Sequence, residues 1–297
     1  MENILFFGAT GKLGRYWVKE LNKKHKVFVN LHENKNFLKK NKSLIVKLSI
    51  DNRDELLKFC ISNEITRIIN CVGFSNVELC ERQKKKALKL NFFIPSELCK
   101  IANKLDISFV HISTDMLYDG SSKKKYDEKA RCSSINFYSK TKIKAEKFIS
   151  KYNKSLIIRS NFFGFSDKNN QSITDKILSD QKLKKKTFLW KDIYFTPMYL
   201  PILVFFLNLF LQNNYNGIFN ISSDEVISKF NFGKKVVKKI FEKNYIIPTS
   251  FDNKNFVNRP KNMSLNNQKL KKIFKKYSYK LKLDYQLKMF FNDYKKY

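Results

Sequence analysis

Residue types that would identify several protein classes are scarce in this chain of 297 residues. Its five cysteines are an odd number without a CxxC spacing, so neither a disulfide framework nor a zinc site is indicated. The three histidines lie far apart, with no carboxylate at ligand spacing, and we expect no protein-bound metal. This cysteine usage is typical of a reduced, cytoplasmic protein.

Long apolar runs are also missing. The longest, from Ile202 to Leu211, contains Asn208 and is about half as long as a membrane-spanning helix requires. It predicts a buried helix. Only four apolar residues, 4–7, precede the first glycine, which is too few for a signal peptide. We therefore expect a cytoplasmic protein with no membrane partner.

Acidic residues are few, with 26 Asp and Glu against 59 Lys and Arg, for a net charge of +33. Such a charge on its face indicates nucleic acid or an acidic surface as partner. Lysine is, however, spread along the whole chain beside frequent Asn, Ile and Phe, which is typical of a compositional bias. We expect no nucleic-acid partner, although a positive field would help to attract an anionic nucleotide.

Short apolar runs alternate with helical stretches in the first 160 residues. The pattern predicts a helix over about 91–104 and strands over residues 3–7, 27–31, 44–48, 68–72, 107–113 and 156–160. This alternation predicts an α/β fold with a Rossmann-type, doubly wound parallel sheet.

Beyond Gly164 the pattern becomes irregular and rich in lysine. It predicts an extended piece at 193–197, a strand at 217–222 and helices over about 229–242 and 267–275. We expect an NAD(P)-binding domain over residues 1–163 and, mainly, a smaller α+β substrate-binding lobe over residues 164–297.

A glycine-rich turn, Gly8, Gly11 and Gly14 with GxxGxxG spacing, stands between the first strand and a helix. Glycine allows a sharp turn, and it lets backbone N–H groups and the helix N-terminus approach a pyrophosphate. A glycine triplet alone is weak evidence, but the strand-turn-helix context supports a dinucleotide site.

The choice of cofactor stays open at the end of the second strand. An acidic residue there favours NAD and a cationic one NADP. Glu33 lies rather far along the chain, whereas Arg15, just past the third glycine, could meet a 2′-phosphate. We expect NADPH, with NADH possible.

Catalytic residues are predicted at a strand end and on a later helix. The segment 111–115 ends a strand with Ser-Thr-Asp, and Tyr138 and Lys142 are four residues apart, on one helix face. A tyrosine can protonate a carbonyl oxygen during ketone reduction, and a lysine ammonium lowers its pKa. Thr114 can hydrogen-bond that oxygen. YxxxK alone is common by chance, and His111 is more readily explained as a core or edge histidine than as a base.

The chain resembles the extended short-chain dehydrogenases, and within them the dTDP-4-dehydrorhamnose reductase family. The resemblance runs end to end through GATGKLG (8–14), NCVGFSNVELCE (70–81) with Asn91 after it, HISTDMLYDG (111–120), YSKTKIKAE (138–146) and RPKNMSL (259–265). The STDxxxDG and RPxNxxL forms are the discriminating ones.

The resemblance implies a role for each matching residue. It implies a catalytic set of Thr114, Tyr138 and Lys142. Cofactor contacts are implied for the two catalytic-helix residues Tyr138 and Lys142 and for Gly8, Thr10, Gly11, Lys12, Leu13, Gly14, Ile50, Asp51, Cys71, Val72 and Gly73. Substrate contacts are implied for Asn76, Glu78, Thr114, Met116 and Phe162.

Some positions depart from the family pattern. Met116 stands where family members usually have an aromatic residue and Phe162 where they have a tryptophan, which leaves the hexose open. Tyr16 replaces a glutamate used in a metal-linked dimer by some members, so a monomer or an ordinary homodimer is expected.

The predicted function is NAD(P)H-dependent reduction of the 4-keto group of a nucleotide-linked 6-deoxy-4-keto-hexose, for deoxysugar and surface polysaccharide synthesis. The nucleotide sugar is then the expected partner. Two alternatives remain: an epimerase or reductase of another nucleotide sugar, and a non-catalytic cofactor-binding regulatory subunit.

Overall fold

The computed structural model describes residues 1–31, 43–165 and 172–296. These residues form two compact units. The first comprises 1–113, 137–158 and 207–218, and the second 114–136, 159–206 and 219–297. The predicted division into a cofactor domain and a substrate lobe at residue 163 assigns functions to segments, and it stays a prediction.

The strands of the described chain are β1 Asn3–Phe7, β2 Lys26–Asn30, β3 Leu44–Val46, β4 Arg67–Asn70, β5 Ser108–Ile112, β6 Ser155–Arg159, β7 Phe162–Phe163, β8 Thr187–Trp190, β9 Tyr194–Phe195, β10 Met198–Tyr199, β11 Gly217–Asn220, β12 Ile227–Ser228 and β13 Ile246–Thr249. The α-helices are α1 Lys12–Leu21, α2 Arg53–Ser62, α3 Val77–Arg82, α4 Lys84–Leu88, α5 Ile94–Lys104, α6 Phe137–Ile149, α7 Ile173–Lys182, α8 Leu200–Gln212, α9 Lys229–Lys238, α10 Gln268–Ile273 and α11 Leu283–Tyr294.

A seven-stranded sheet has the order β11-β6-β5-β4-β1-β2-β3. All pairings from β3 to β6 are parallel. The chain runs outward from β1 in one direction through β2 and β3 and in the other through β4, β5 and β6, which is the doubly wound arrangement. The predicted fold class is therefore confirmed.

The middle positions of the central strands β1, β4 and β5 are apolar and buried, as expected for a parallel sheet with helices on both faces. In β1 the side chains of residues 4–7 are at most 1% exposed. Helix α1 packs with Leu13, Trp17 and Leu21, the i, i+4, i+8 stripe of an amphipathic helix.

The predicted buried helix at 202–211 is α8, and its one polar residue has a partner. The Asn208 side-chain oxygen accepts a hydrogen bond from the buried indole N–H of Trp17 at 2.8 Å. A buried indole N–H needs such an acceptor, which explains a polar residue in an apolar run. Among the described residues, no helix has the length and apolar character that crossing a membrane requires.

Several predicted elements end earlier or start differently than expected, among them β3, β4 and the helix expected over 91–104. Strand β3 stops at Val46 because the Asn30 side chain takes over the ladder, accepting from Leu48 N–H at 2.9 Å and donating to Leu48 O at 3.2 Å. Strand β4 stops at Asn70, whose side-chain oxygen accepts from Val72 N–H at 3.1 Å. The helix expected over 91–104 begins as a π-helix at Lys89–Phe93, before α5.

The second unit contains three two-stranded sheets, β7 with β10, β8 with β13, and β9 with β12. Phe163, Tyr199, Phe232 and Phe290 form an aromatic cluster in its core, with ring centroids 5.0–5.7 Å apart in tilted and edge-to-face contacts. Short strands joined by such a core account for the irregular sequence pattern of this region.

Candidate functional site

The glycine turn joins β1 to α1, and two of its glycines are required by close backbone packing. Gly8 has φ +84°, and a Cβ there would lie 2.5 Å from the carbonyl carbon of Cys71. A Cβ on Gly14 would lie 2.2 Å from the Gly8 oxygen. The turn is thus locked against the carboxyl end of β4.

Gly11 differs from these two glycines. Its backbone is extended, with φ −71° and ψ 163°, and the nearest atom to an added Cβ is the Gly8 oxygen at 3.5 Å. Packing within the described protein therefore does not require a glycine at this position. An open face at a helix N-terminus is what a diphosphate needs in order to approach the backbone.

The remaining turn residues lie at the start of α1. Within the described residues, no side chain caps this helix, and its first turn carries no acidic residue, so its N-terminal dipole favours an anion. Thr10, Lys12 and Leu13 flank this end. Arg15 donates from Nε to the Thr10 carbonyl oxygen at 2.8 Å, which folds its guanidinium back onto the turn. Glu33, the alternative determinant of cofactor choice, lies outside the described residues.

Ile50 and Asp51, two of the implied cofactor contacts, follow β3. Ile50 is half-buried and packs against the hydrophobic core of the first unit. The Asp51 side chain is 78% exposed and forms an ion pair with Lys89 at 3.1 Å, so water screens it strongly.

The segment after β4, Cys71, Val72 and Gly73, is held by a buried asparagine. Asn91, fully buried in the π-helix, accepts from Phe74 N–H at 2.7 Å and donates to Phe74 O at 3.1 Å. Its amide also donates to Thr141 Oγ1 at 3.2 Å. The Asn91 side chain thus links the segment after β4 to α6. It makes this link from a π-helical turn, a departure from α-helix that often occurs at functional sites.

Asn76 and Glu78 lie at the start of α3. Asn76 is its N-cap, and its side-chain oxygen accepts from Leu79 N–H at 2.9 Å. Glu78 is half-buried in the first turn. The implied contact of these two residues with substrate stays a prediction, and the capping role is a local reason for an asparagine at 76.

Helix α6 carries Tyr138 and Lys142, which are 8% and 3% exposed. Its first turn is fixed by Glu81, whose Oε1 accepts from Phe137 N–H at 2.6 Å. A carboxylate at a helix N-terminus is also favoured by the helix dipole. The spacing of four places Tyr138 and Lys142 on one face.

The side-chain nitrogen of Lys142 lies at the carboxyl end of β5. Its Nζ is 2.8 Å from the Ile112 carbonyl oxygen and 3.1 Å from Nε2 of His111. Burial lowers the pKa of Lys142 to about 8, against the opposing effects of Glu146 and Cys71. A lysine with this pKa changes charge close to neutral pH, as catalytic lysines do.

Thr114 belongs to the second unit and is 7% exposed. Its hydroxyl donates to Asp115 Oδ1 at 3.3 Å and accepts from Met116 N–H at 3.2 Å. Asp115 Oδ2 accepts from Asn161 at 2.7 Å. Burial raises the pKa of Asp115 to about 6, although Lys229 and these hydrogen bonds oppose the rise.

Met116 and Phe162, the two departures from the family pattern, are both half-buried in the second unit. The Met116 sulfur accepts a weak hydrogen bond from Asn136 at 3.6 Å. Asn136 also donates to the Asn258 carbonyl oxygen at 2.8 Å, just before the RPKNMSL segment.

The two discriminating motifs pack against each other in the second unit. Gly120, which ends STDxxxDG, has φ +80°, and a Cβ there would lie 2.6 Å from Lys261 N and 2.7 Å from Pro260 Cα. Asn262 of RPxNxxL donates to the Ser122 carbonyl oxygen at 2.7 Å. These contacts account for the glycine at 120 and the asparagine at 262.

Sequence reasoning assigned no role to four side chains with long-range contacts: Asn70, Glu81, Asn161 and Lys229. Asn70 and Glu81 stand within the 70–81 motif, whereas Asn161 and Lys229 lie outside every motif. The partners of all four are distant in the sequence, so no spacing pattern indicates these contacts. In the part of the chain that the structure describes, no group of His, Cys, Asp or Glu could hold a metal ion.

Comparison with known proteins gives consistent results. The family model described as RmlD substrate binding domain matches residues 1–294. A probable low-salt glycan biosynthesis reductase of Haloferax volcanii is 22% identical over 238 residues, 78% of each chain. A dTDP-4-dehydrorhamnose reductase of Aggregatibacter actinomycetemcomitans is 26% identical over 166 residues, 54% of this chain and 52% of that protein.

Solved structures share the fold. A hypothetical dTDP-4-dehydrorhamnose reductase from Sulfolobus tokodaii superposes with a TM-score of 0.79 at 27% identity, over 92% of this chain and 94% of that one. The dTDP-4-dehydrorhamnose reductase of Bacillus anthracis, solved in complex with NADP, has a TM-score of 0.81 at 22% identity over 99% of both chains.

Proposed function

The chain belongs to the family of the RmlD substrate binding domain, and on that premise we propose that it reduces the 4-keto group of a nucleotide-linked 6-deoxy-4-keto-hexose with NADPH. Its relatives named as reductases of glycan and dTDP-sugar synthesis support this reaction class. The single structural observation that carries the proposal is the buried pair Tyr138 and Lys142, four residues apart on α6, with the Lys142 side chain at the end of β5.

The residues present fit a dinucleotide. Gly8 and Gly14 fix the turn, whereas an added Cβ at Gly11 or Gly73 meets no atom of the described residues closer than 3.5 Å or 3.8 Å, respectively. Both open glycines follow carboxyl ends of neighbouring parallel strands, where dinucleotides bind in this fold. The bound cofactor would supply the hydride. The NADP complex of the Bacillus anthracis neighbour supports NADPH as that cofactor.

The chain's own residues supply the proton and the orientation. Tyr138 donates its phenolic proton to the carbonyl oxygen of the substrate as the C–H bond forms, leaving an alcohol and a tyrosinate. Lys142 in its ammonium form stabilises that tyrosinate because opposite charges attract strongly in a buried site. The resemblance to the reductase family assigns Thr114 a hydrogen bond to the ketone oxygen, which would orient the substrate.

The test compares NADPH oxidation by the wild-type protein and by Tyr138→Phe, with dTDP-4-keto-6-deoxy-L-lyxo-hexose as substrate. Loss of the proton donor should reduce kcat by about 10²–10⁴-fold while NADPH still binds. Tyr152→Phe is the matched control, since the Tyr152 hydroxyl donates to the Ile107 carbonyl oxygen at 2.7 Å in the core. Equal turnover by Tyr138→Phe and the wild type would exclude the proposed role of Tyr138.

A further inference from the structure

Three buried side chains in the first unit form a hydrogen-bonded series that ends on helix α6. Asn70 ends β4, His111 lies in the neighbouring strand β5, and Lys142 reaches them from α6. The Asn70 amide nitrogen is 3.0 Å from His111 Nδ1, and His111 Nε2 is 3.1 Å from Lys142 Nζ. Asn70 and His111 are fully buried.

The orientation of the Asn70 amide is fixed by the backbone. Its oxygen accepts from Val72 N–H at 3.1 Å, so its NH₂ group points at His111 Nδ1. Turning the amide over would place two donors against each other at Val72. His111 Nδ1 must therefore be the acceptor of this contact.

This orientation determines the tautomer of His111. Complete burial holds the pKa of His111 well below its usual value, with Lys142 acting in the same direction, so the ring is neutral and carries one N–H. With Nδ1 accepting, the proton is on Nε2. The Nε2–H group then points at Lys142 Nζ, and a buried donor needs an acceptor.

An ammonium has no lone pair, whereas a neutral amine accepts one hydrogen bond and still donates to the Ile112 carbonyl oxygen. We propose that Asn70 and His111 are positioning residues that favour the neutral amine form of Lys142 over its ammonium form in the cofactor-free protein, through a donor chain running from Asn70 to His111 to Lys142. Protonation of Lys142 then requires rearrangement of this chain. The consequence for catalysis rests on the proposed function, but the proton arrangement itself does not.

Other groups around Lys142 act in both directions. Glu146 on the same helix and Cys71 after β4 raise its pKa, and burial, the largest effect, lowers it to about 8. The His111 N–H adds to the effect of burial because it presents a positive dipole end to Nζ. If binding of cofactor or substrate favours the ammonium form of Lys142, the binding free energy must offset both the effect of burial and the effect of the His111 N–H.

The experiment uses nitrogen NMR of the cofactor-free protein labelled at histidine. The chain has only three histidines, and His111 is assigned by the loss of its signals in His111→Gln. The expected result is a neutral ring with the proton on Nε2. A ring protonated on Nδ1, or a charged ring at neutral pH, would overturn the proposal.

Asn70→Asp tests the logic of the chain without changing the shape of the side chain. A carboxylate still accepts from Val72 N–H but can no longer donate, so it should draw the His111 proton to Nδ1 and leave Nε2 free to accept from a Lys142 ammonium. The Lys142 titration midpoint, followed by its side-chain carbon shift and assigned with Lys142→Arg, should rise by roughly one pH unit or more. His25, 18% exposed at its side chain and close to Glu2, should keep its signals as an internal control.

An unchanged Lys142 midpoint in folded Asn70→Asp would refute the proposal. If that variant does not fold, His111→Gln serves instead, because its amide oxygen can accept from the ammonium and should raise the midpoint in the same direction. If the protein is a reductase, the limb of log kcat against pH that follows Lys142 should move with the NMR midpoint. Absence of any turnover would refute the proposed function, whereas the NMR results would still test the donor chain independently.

Discussion

Gly11→Ala should separate the cofactor role of the glycine turn from its structural role. The Gly11 backbone is extended, and among the residues that the structure describes an added Cβ meets no atom closer than 3.5 Å. Alanine is a poorer helix N-cap than glycine, which lowers stability. It also reduces the conformational entropy of the unfolded chain, which raises stability by about 0.4–1 kcal/mol, so the net change in unfolding free energy should be about 1 kcal/mol or less.

The same methyl group should interfere with NADPH. If a diphosphate lies against the backbone at this turn, a Cβ occupies the space through which its oxygens approach. We expect the affinity for NADPH to fall at least tenfold, which corresponds to about 1.4 kcal/mol of binding free energy.

Two further glycines calibrate the result. Gly8→Ala should be strongly destabilising, because a positive φ costs about 1–2 kcal/mol and overpacking against the Cys71 carbonyl carbon at 2.5 Å adds about 1–3 kcal/mol. Gly217 also has a positive φ, +99°, but an added Cβ meets no described atom within 4 Å, so Gly217→Ala should show the backbone cost of about 1–2 kcal/mol alone.

The assay is chemical denaturation of each variant, followed by NADPH titration of the folded ones by fluorescence. The expected order of stability is wild type and Gly11→Ala, then Gly217→Ala, then Gly8→Ala. A Gly11→Ala protein that is stable and binds NADPH as tightly as the wild type would refute the placement of the diphosphate at this turn.

Two further predictions concern buried polar groups. Asn91→Leu should lower the unfolding free energy by about 2–4 kcal/mol, because the N–H and C=O of Phe74 and the Thr141 hydroxyl lose their buried partner; a loss below about 1 kcal/mol in denaturant titration would contradict the anchoring role. Asp115→Asn should gain stability relative to wild type as pH rises from 4 to 7. The folded-state pKa of Asp115 is raised from 3.8 to about 6. The protonated carboxyl group therefore stabilises the folded wild-type protein fully below the unfolded-state pKa, and this stabilisation of about 3 kcal/mol is lost as pH rises through 6. A pH-independent difference between the two proteins would contradict the burial of that carboxylate.

Much of the first unit could be predicted because its signals are local. Apolar runs of four residues in β1 and three in β2 define these strands, and the spacing of the glycines marks the turn between β1 and α1. Their boundaries were less predictable, since side chains such as Asn30 replace backbone pairing where β3 would have continued.

The second unit was harder to predict for a physical reason. Its strands have two to four residues and are stabilised by distant aromatic partners, as Phe163 is by Phe232 and Phe290. Periodicity over so few residues has no distinct period. The contact of Glu81 in the first unit was also hard to predict, because Glu81 accepts a hydrogen bond from the first N–H group of α6, 56 residues away in the sequence.

Transfer of deuterium from labelled NADPH tests the central claim most directly. With nicotinamide-deuterated NADPH and the nucleotide-linked 4-keto-6-deoxy-hexose, the account predicts one NADPH oxidised per product molecule and one deuterium on C4 of the product sugar. An unlabelled product formed without net consumption of NADPH would contradict the account and identify the protein as an epimerase. No product with any nucleotide-linked 4-keto sugar would leave it as a protein without this chemistry.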